Sequence, residues 1–204
     1  MSNFTVTTAA SNLSLLTVEE LRAAAGVSDT GHDMALAELG QQLSTALARR
    51  CMIVDDGVHP PTLLSEGCTE VFRWNGCGPL SMARRPVTEI ASVSINGAAI
   101  DASGYELANG RNLHRLSGDA LVSWPTAKIT VVYTAGFLTV PPDLKLAASK
   151  LATALYKETA RDPNLKREDI PGIREVEYWV APTTDPLLSR EISDLLAPYV
   201  ERWI

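Results

Sequence analysis

The 204-residue chain is 46% hydrophobic and 21% charged, with a formal net charge of −6 and a sequence pI of about 5.1. This composition is ordinary for a globular protein, and no apolar run approaches the roughly 20 residues that a membrane-spanning helix needs. The acidic balance argues against a protein that grips nucleic acid by its phosphates, because such binding depends on clustered Lys and Arg.

The length favours one core with appendages. The first residues, MSNFTVTTAASNLSLL, lack the basic start and continuous apolar segment of a secretion signal. Three scattered cysteines, Cys51, Cys68 and Cys77, indicate reduced thiols that serve packing and no disulfide framework. A cytosolic protein is therefore expected.

Two helices are predicted near the N-terminus. Thr17 and Glu20 have the spacing of a capping box, and Gly26 ends the short helix that follows. A second helix is predicted from about Asp33 to Arg50, since apolar residues recur there at three- and four-residue spacing. The members of this stripe are Leu36, Leu39, Leu43, Ala46 and Leu47.

The pattern changes between about residues 53 and 133, where alternation by two replaces the helical period. Asn96-Gly97 and Asn109-Gly110 are pairs that tolerate the positive φ of a tight hairpin turn. Ile129, Val131 and Tyr133 alternate with polar or smaller residues along one strand. This middle third is predicted to be antiparallel sheet.

Helices return after Gly136-Phe137. Pro141 and Pro142 cannot donate to a β-ladder but suit the first turn of a helix, which is predicted to end before Asp162-Pro163. Residues 161–184 are predicted to be an extended loop with a short strand near 176–180. Asp185-Pro186 predicts a last helix that stops near Pro198. The fold class is therefore α+β, a helical core of about four helices with an antiparallel β-rich insertion.

No residue pattern indicates catalysis, a cofactor or a metal. The strand, turn and helix of TVVYTAGFLTVPPDLKLAASKL are the parts from which phosphate sites are built, but one glycine and no correctly spaced lysine predict only an architectural corner. His32, His59 and His114 lack the spacing that metals favour. Asp55-Asp56 and Glu168-Asp169 are interpreted as solvated loop, and Glu19-Glu20 as a helix start.

Two tryptophans lie in segments that do not resemble core. Trp179 falls in the charge-rich loop and Trp203 at the end of the sequence. Exposed aromatic residues often anchor interfaces. The alternative is that both side chains fold back onto the domain.

The order of several segments resembles the head-tail connector, or adaptor, proteins of tailed bacteriophages and gene transfer agents. The resemblance spans nearly the whole chain and rests on the sequence of the segments, not on any one of them. They are LTVEELRAAAGV, ALARRC, RRPVTEIASVSING, ITVVYTAGF, VPPDLKLAASKL and LLAPYVERW. Its most specific pieces are Arg85-Pro86-Val87 with the following Ile90 and Val93, the YTAGF strand end at 133–137, the proline-led helix and LLAPY at 195–199.

The resemblance implies a single adaptor domain over residues 1–204 that performs no reaction and needs no cofactor. Such proteins form a ring, typically of twelve copies, below the portal protein of the virion, and are assembled in the cytoplasm of the bacterial host. Genomic double-stranded DNA passes through the ring without specific binding, and a stopper or tail-completion protein docks on it. The β-rich insertion at about 53–133 departs from the shortest, mostly helical connectors.

The C-terminal part, at about 161–204, is expected to dock on the portal or on a neighbouring copy. The residues predicted for this contact, or for packing beside it, are Trp179, Leu195, Leu196, Tyr199 and Trp203. One alternative is a tail-completion or stopper protein. A less favoured one is a nucleic-acid-binding module or an enzyme, which the missing motifs and the negative charge oppose.

Overall fold

The computed structural model describes residues 2–74, 78–159, 167–170, 174–177 and 189–200. Its contacts divide the chain into two compact units, a β unit (Met1–Leu13 and Met52–Val140) and a helical unit (Ser14–Cys51 and Pro141–Ile204). The described residues form helices and antiparallel sheets, so the predicted α+β class is confirmed. The grouping of the two units into one adaptor domain stays a prediction.

The β unit contains two antiparallel sheets. The first has five strands in the order β1-β2-β9-β4-β5, and in the second β7 pairs with β3, β6 and β8. The strands are β1 (Ser2–Thr8), β2 (Glu66–Arg73), β3 (Leu80–Ser81), β4 (Val87–Ile95), β5 (Ala98–Ile100), β6 (Tyr105–Ala108), β7 (Asn112–Ser117), β8 (Ala120–Val122) and β9 (Lys128–Ala135).

The alternation of β9 confirms its prediction. Ile129, Val131 and Tyr133 are at most 1% exposed and join Trp124 and Leu113 in one apolar core. Because side chains alternate across a strand, this single face carries the packing of the central strand. The two predicted hairpin turns are also confirmed, with positive φ at Asn96 and Gly97 and again at Asn109 and Gly110.

Strand β1 was not predicted. It pairs with β2 in antiparallel register, Asn3 opposite Val71 and Thr5 opposite Thr69, and forms one edge of the five-stranded sheet. In this largely polar strand Val6 is buried, at 5% exposure, and Phe4 is half-buried against the core, while Asn3, Thr5 and Thr7 face solvent. The sheet therefore starts outside the predicted 53–133 region.

The helical unit contains α1 (Val18–Ala25), α2 (Asp33–Arg50), α3 (Pro142–Thr159) and α4 (Arg190–Leu196), the last continued by a 3₁₀ turn (Ala197–Tyr199). The predicted capping box is present, with Thr17 and Glu20 bonded reciprocally and Gly26 left-handed at the C-cap. The predicted bounds of α2 are confirmed. On α3 the inward stripe Leu144, Ala147, Ala148 and Leu151 is buried.

The last part of the chain differs from expectation in two places. Within the predicted loop, β10 (Arg167–Ile170) and β11 (Arg174–Glu177) form a two-stranded antiparallel ribbon. The predicted strand at 176–180 overlaps β11, and its last three residues lie outside the described residues, as does the predicted cap at Asp185-Pro186. The described helix α4 begins after Ser189, whose hydroxyl accepts from the Ile192 amide.

Candidate interface

The strand-to-helix junction at residues 130–151 is an architectural corner. The Gly136 amide donates to the Pro86 carbonyl (2.8 Å), the Phe137 amide donates to the Leu63 carbonyl (2.8 Å), and the Phe137 carbonyl accepts from Ser65 (3.1 Å). These amides are therefore occupied by backbone partners and cannot cradle a phosphate. The structure confirms the sequence interpretation of this segment.

The β unit buries a charged pair that the sequence analysis did not identify. Arg84 Nη2 lies 2.7 Å from Glu66 Oε2, both side chains are 1% exposed, and Arg84 Nη1 donates to the Thr62 carbonyl at 2.6 Å. The guanidinium also lies 5.6 Å from the centre of the Phe4 ring, a cation–π contact. A buried cation held in this way fixes the segment after β3 onto β2.

A second carboxylate, that of Glu70, lies on the same face of β2 as Glu66, four residues further along the strand. Glu70 Oε2 accepts from the Ala83 amide (2.9 Å) and from the Tyr133 hydroxyl (3.2 Å). Burial, followed by the nearby Glu70 charge, raises the pKa of Tyr133 far above its ordinary value. Tyr133 therefore stays protonated and serves as a hydrogen-bond donor within the core.

A sequence signal for this cluster existed. Glu66 and Glu70 share the parity of Cys68 and Phe72 in β2, so they lie on the face that the apolar residues bury. Acidic residues on the inward face of a strand need buried partners. Burial raises the pKa of the Cys68 thiol beside them to about 12, which makes it unreactive. Cys51 and Cys68 are both buried, as predicted, and Cys77 lies outside the described residues.

The interpretation of Asp55-Asp56 as solvated loop is wrong for Asp56. Its side chain is 3% exposed and accepts from the amides of Val6, Val58 and His59 at 2.8–3.0 Å, with His59 Nδ1 at 3.0 Å. Burial alone would raise the pKa of Asp56, but these hydrogen bonds outweigh it and hold the pKa well below its usual range. Asp56 thus covers an outward amide of edge strand β1.

In the helical unit, α4 and its 3₁₀ turn are fastened to α3. Lys150 Nζ lies 2.7 Å from Glu191 Oε2, and the Tyr199 hydroxyl donates to Asp143 Oδ1 at 2.5 Å. Burial and this hydrogen bond to a carboxylate raise the pKa of Tyr199 to about 12. The contact with Asp143 brings Tyr199 to the first turn of α3.

The predicted interface residues fall into three groups. Leu196 is 1% exposed and packs inside the helical unit. Leu195 and Tyr199 are half-buried, so part of each side chain is accessible. Trp179 and Trp203 lie outside the described residues.

An apolar groove lies between α1 and α3 on the same unit. It has a volume of about 460 Å³, and its walls include Leu16, Ala23 and Ala24 on one side and Pro142 and Leu146 on the other. The side chain of Leu146 is 48% exposed.

The rim of the groove carries one ion pair. Lys145 Nζ lies 2.6 Å from Glu20 Oε1, with each side chain more than a third exposed. The hydrogen bond from Lys145 lowers the pKa of Glu20. Further along, the Thr153 hydroxyl donates to the Ala24 carbonyl at 2.9 Å and closes that end of the groove.

Within the described part of the chain, no group of three or more His, Cys, Asp or Glu side chains is placed to hold a metal ion. None of the helices described there is long and apolar enough to cross a membrane. His59 contacts Asp56, His32 is the N-cap residue of α2, and His114 lies in β7.

Comparison with known proteins finds similarity of fold only. No protein-family model matches the chain, and no curated protein matches it in sequence. A chain in the neck of an empty gene transfer agent particle, computed with C6 symmetry, aligns with a TM-score of 0.60 at 18% identity, covering 98% of this chain and 96% of that one. A chain in the virion of a native gene transfer agent particle gives the same values. The chain therefore shares the fold of those two chains over almost its full length.

Proposed function

We propose that the chain is a structural virion protein, a head-tail adaptor that forms a ring below the portal. In this role the ring, of twelve copies, extends the DNA channel and gives the stopper or tail-completion protein its docking surface. The chain carries out no reaction of its own.

The observation that carries this proposal is the fold shared with chains of gene transfer agent particles. The alignment covers 98% of this chain and 96% of the neck chain, so the likeness includes both units and not one common motif. That neck was computed with C6 symmetry, and a twelve-membered ring is compatible with six-fold symmetry because twelve is a multiple of six.

Charge supports the same role. A protein around moving DNA must not hold phosphates tightly, and the net charge of −6 opposes such binding. The buried cation Arg84 is already paired, because its Nη2 lies 2.7 Å from Glu66 Oε2, and its side chain is 1% exposed. A cyclic ring further requires that one surface of each copy meets a different surface of the next.

For the portal contact we propose the C-terminal part of the helical unit. Leu195 and Tyr199 are its accessible members among the described residues, and Trp179 and Trp203 are assigned to it by their sequence positions. Leu196 supports the contact from within, because its side chain is 1% exposed.

The test mixes the purified chain with purified portal rings of the same particle and separates the assemblies by sedimentation, followed by electron microscopy. We expect an added ring on the portal. Leu195→Glu should reduce retention at least tenfold, because it places a charge in the contact, whereas Leu121→Glu, on the 65% exposed Leu121 of the β unit, serves as the matched control.

Retention of both variants at the wild-type level would remove Leu195 from the contact. Failure of the wild-type chain to bind portal rings, together with binding to isolated tails, would replace the adaptor assignment with a tail-completion protein. Particles that lack the chain and are still filled and tailed would contradict any role in the neck.

A further inference from the structure

We propose that the two edges of the five-stranded sheet join neighbouring copies of the chain, with β5 of one copy pairing in parallel with β1 of the next. This contact names the surfaces that meet within the ring, and it rests on the proposed function for the ring itself. The sheet has the order β1-β2-β9-β4-β5, so β1 and β5 are its outermost strands. An edge strand presents backbone N–H and C=O groups with which another strand can pair.

The edge of β1 is open over its first residues. The Val6 amide donates to Asp56 Oδ2 at 3.0 Å and therefore points away from β2. Because backbone direction alternates along a strand, the amide and carbonyl of Phe4 point the same way. Within the described residues, neither of these two Phe4 groups has a hydrogen-bond partner. The edge is thus open as far as Val6, where Asp56 closes it.

The edge of β5 is open at Ala99. The Asn96 amide donates to the Lys128 carbonyl of β9 at 2.8 Å, so Ser94, which lies two residues earlier in β4, also directs its backbone groups towards β9. Its partner across the hairpin, Ala99, must then direct its amide and carbonyl away from β4. In the part of the chain that the structure describes, the Ala99 amide and carbonyl and the Asp101 amide have no hydrogen-bond partner.

The directions of the two edges fit a second copy placed head to tail. The sheet has five strands and each pairing within it is antiparallel, so β1 and β5 run in the same direction. The small rotation between neighbours in a ring keeps that direction, and it brings β5 of one copy beside β1 of the next as a parallel pair. A ring needs such a contact, in which one surface meets a different surface of the neighbour.

The faces of the two strands fit the same parallel pair. Residues directly opposite in a sheet have side chains on the same face. Phe4 and Ile100 both pack against the core of the β unit, so placing them opposite each other keeps the cores of both copies on one side of the sheet. An antiparallel pair would place Phe4 opposite Ala99, which shares the other face with Ser94. Successive cores would then alternate between the two sides, which a ring does not allow.

This register gives three backbone hydrogen bonds between copies. With Phe4 opposite Ile100, the Phe4 amide donates to the Ala99 carbonyl of the neighbour. The Asp101 amide donates to the Phe4 carbonyl, and the Ala99 amide donates to the Ser2 carbonyl. Every group in this set points outward in its own copy, so no hydrogen bond within a copy has to break.

Both open segments end at the same point in this register. The next bond would join the Val6 amide to the Asp101 carbonyl, but Asp56 already accepts from Val6, and the Asp101 carbonyl accepts from the Gly104 amide at 2.9 Å. Neither β1 (SNFTVTT) nor β5 (AAI) carries the lysine or proline that edge strands use against pairing. Because only three hydrogen bonds form, we expect a weak contact in solution that is completed on the portal.

Oxidative cross-linking of the full chain with Asn3→Cys and Ala99→Cys tests the register. These exposed positions would lie opposite each other across the pair, about 5 Å apart between Cα atoms, which a disulfide spans. A Cys77→Ser background leaves Cys51 and Cys68, both 0% exposed. We expect a ladder of covalent oligomers, on portal rings and at high protein concentration without portal, at least tenfold faster than with either cysteine alone. Asn3→Cys with Leu121→Cys, at the 65% exposed Leu121, is the matched control and should give no ladder.

Ala99→Pro tests the hydrogen bonds themselves. It removes the amide that donates to the neighbour, and proline is tolerated in an edge strand where the N–H faces solvent. It should reduce the copies added to portal rings at least tenfold, whereas Ala99→Val keeps the amide and should add a ring as the wild type does. Circular dichroism establishes that both variants are folded, and equal addition by both would overturn the proposed bonds.

A ladder from Asn3→Cys alone would overturn the proposal, because two β1 edges would then meet across a two-fold axis. A complete ring on the portal without a ladder from the double variant would overturn it as well, and would leave the adaptor assignment intact. Where the chain does not bind portal rings, the experiment without portal decides: a ladder there supports the edge contact, and its absence overturns it. The edge contact and the adaptor assignment can therefore fail separately.

Discussion

Gly136 fixes the end of β9 by leaving no room for a side chain. A Cβ atom at this position would lie 2.2 Å from the Leu64 carbonyl oxygen, and the residue has a φ of +103°. The close approach lets the Phe137 amide bond to Leu63 across the corner. A methyl group would force backbone atoms apart, which side-chain rearrangement cannot relieve.

Gly136→Ala should therefore lower the free energy of unfolding by about 3 kcal/mol or more, combining a strained backbone with a clash. Gly118→Ala is the matched control, because Gly118 has a φ of +58° and nothing within 4 Å of an added Cβ. It should cost about 1 kcal/mol, the left-handed penalty alone. Denaturant unfolding measures both, and equal losses would show that the clash at Leu64 is relieved.

Asp56 makes the stability of the β1 edge depend on pH. Its carboxylate holds the Val6 and His59 amides, and its pKa is lowered in the folded chain. A carboxyl whose folded pKa lies below the unfolded value of about 3.9 stabilises the fold fully above that value. This stabilisation is lost progressively as the pH falls through the folded-state pKa.

Asp56→Ala should therefore destabilise the chain by about 3 kcal/mol at pH 7, because it leaves amides of the β1 edge and the turn without their charged acceptor. The loss should shrink as the pH is lowered below about 4. Asp55→Ala is the control, since Asp55 is exposed and accepts from the nearby Gly57 amide. A difference between wild type and Asp56→Ala that stays constant from pH 7 to pH 2 would contradict this role.

At the scale of elements, β2 is the strand around which the β unit is organised. It pairs with β1 on one side and β9 on the other. Its inward face holds Glu66 and Glu70, which receive Arg84 and the Ala83 amide from the segment after β3. The two sheets are thus joined through hydrogen bonds to one strand as well as by apolar contact.

Arg84→Met should destabilise the β unit by about 3–5 kcal/mol, because it leaves Glu66 buried without its cation. The double variant Arg84→Met with Glu66→Leu removes both charges and should recover much of the loss. Thermal unfolding of the single and double variants tests this coupling. If the double variant is as unstable as Arg84→Met alone, the hydrogen bonds to Thr62 and Ala10, and not the charge pair, dominate.

The helices and turns that the sequence predicts well are those determined by residues close together in the sequence. The bounds of α1 follow from Thr17, Glu20 and Gly26, all within ten residues, and the hairpin turns follow from adjacent Asn-Gly pairs. Strand β1 pairs with a strand about 60 to 70 residues away, and among its described side chains only Val6 is buried, so its pattern resembles a loop. Pairing with the distant strand β2 stabilises β1, and no pattern within β1 itself indicates that pairing.

The candidate interface was only partly predictable for a related reason. Tyr199 could be named from its position near the end of the sequence, but its bond to Asp143 depends on how α4 packs on α3. The groove between α1 and α3 is formed by residues more than 100 positions apart in sequence. Leu196 has the same residue type as Leu195, and only the packing shows that it is buried.

At the scale of the whole molecule, the chain combines a firmly hydrogen-bonded β unit with a helical unit that carries the proposed portal contact. Among the described residues of the β unit, the charged side chains of Arg84, Glu66, Glu70 and Asp56 are buried. In the helical unit, the ion pair of Lys150 with Glu191 is exposed and contributes little to stability. Changes at the C-terminal end should therefore affect assembly more than folding.

Ending the chain after Pro198 tests this separation. The truncation removes Tyr199, whose hydrogen bond to Asp143 is worth about 1.5–3 kcal/mol as a bond to a charged acceptor, so the remaining chain should be less stable but folded. It should also lose its incorporation onto portal rings, because the docking residues after Pro198 are gone.

Tyr199→Phe is the matched control for this truncation, since it removes the hydroxyl, keeps the ring and should retain portal binding. Circular dichroism and co-sedimentation with portal rings measure the two properties separately. A truncated chain that assembles as well as the wild type would mean that the portal contact lies elsewhere on the molecule, whereas loss of binding by Tyr199→Phe would mean that the hydroxyl itself orders the docking surface.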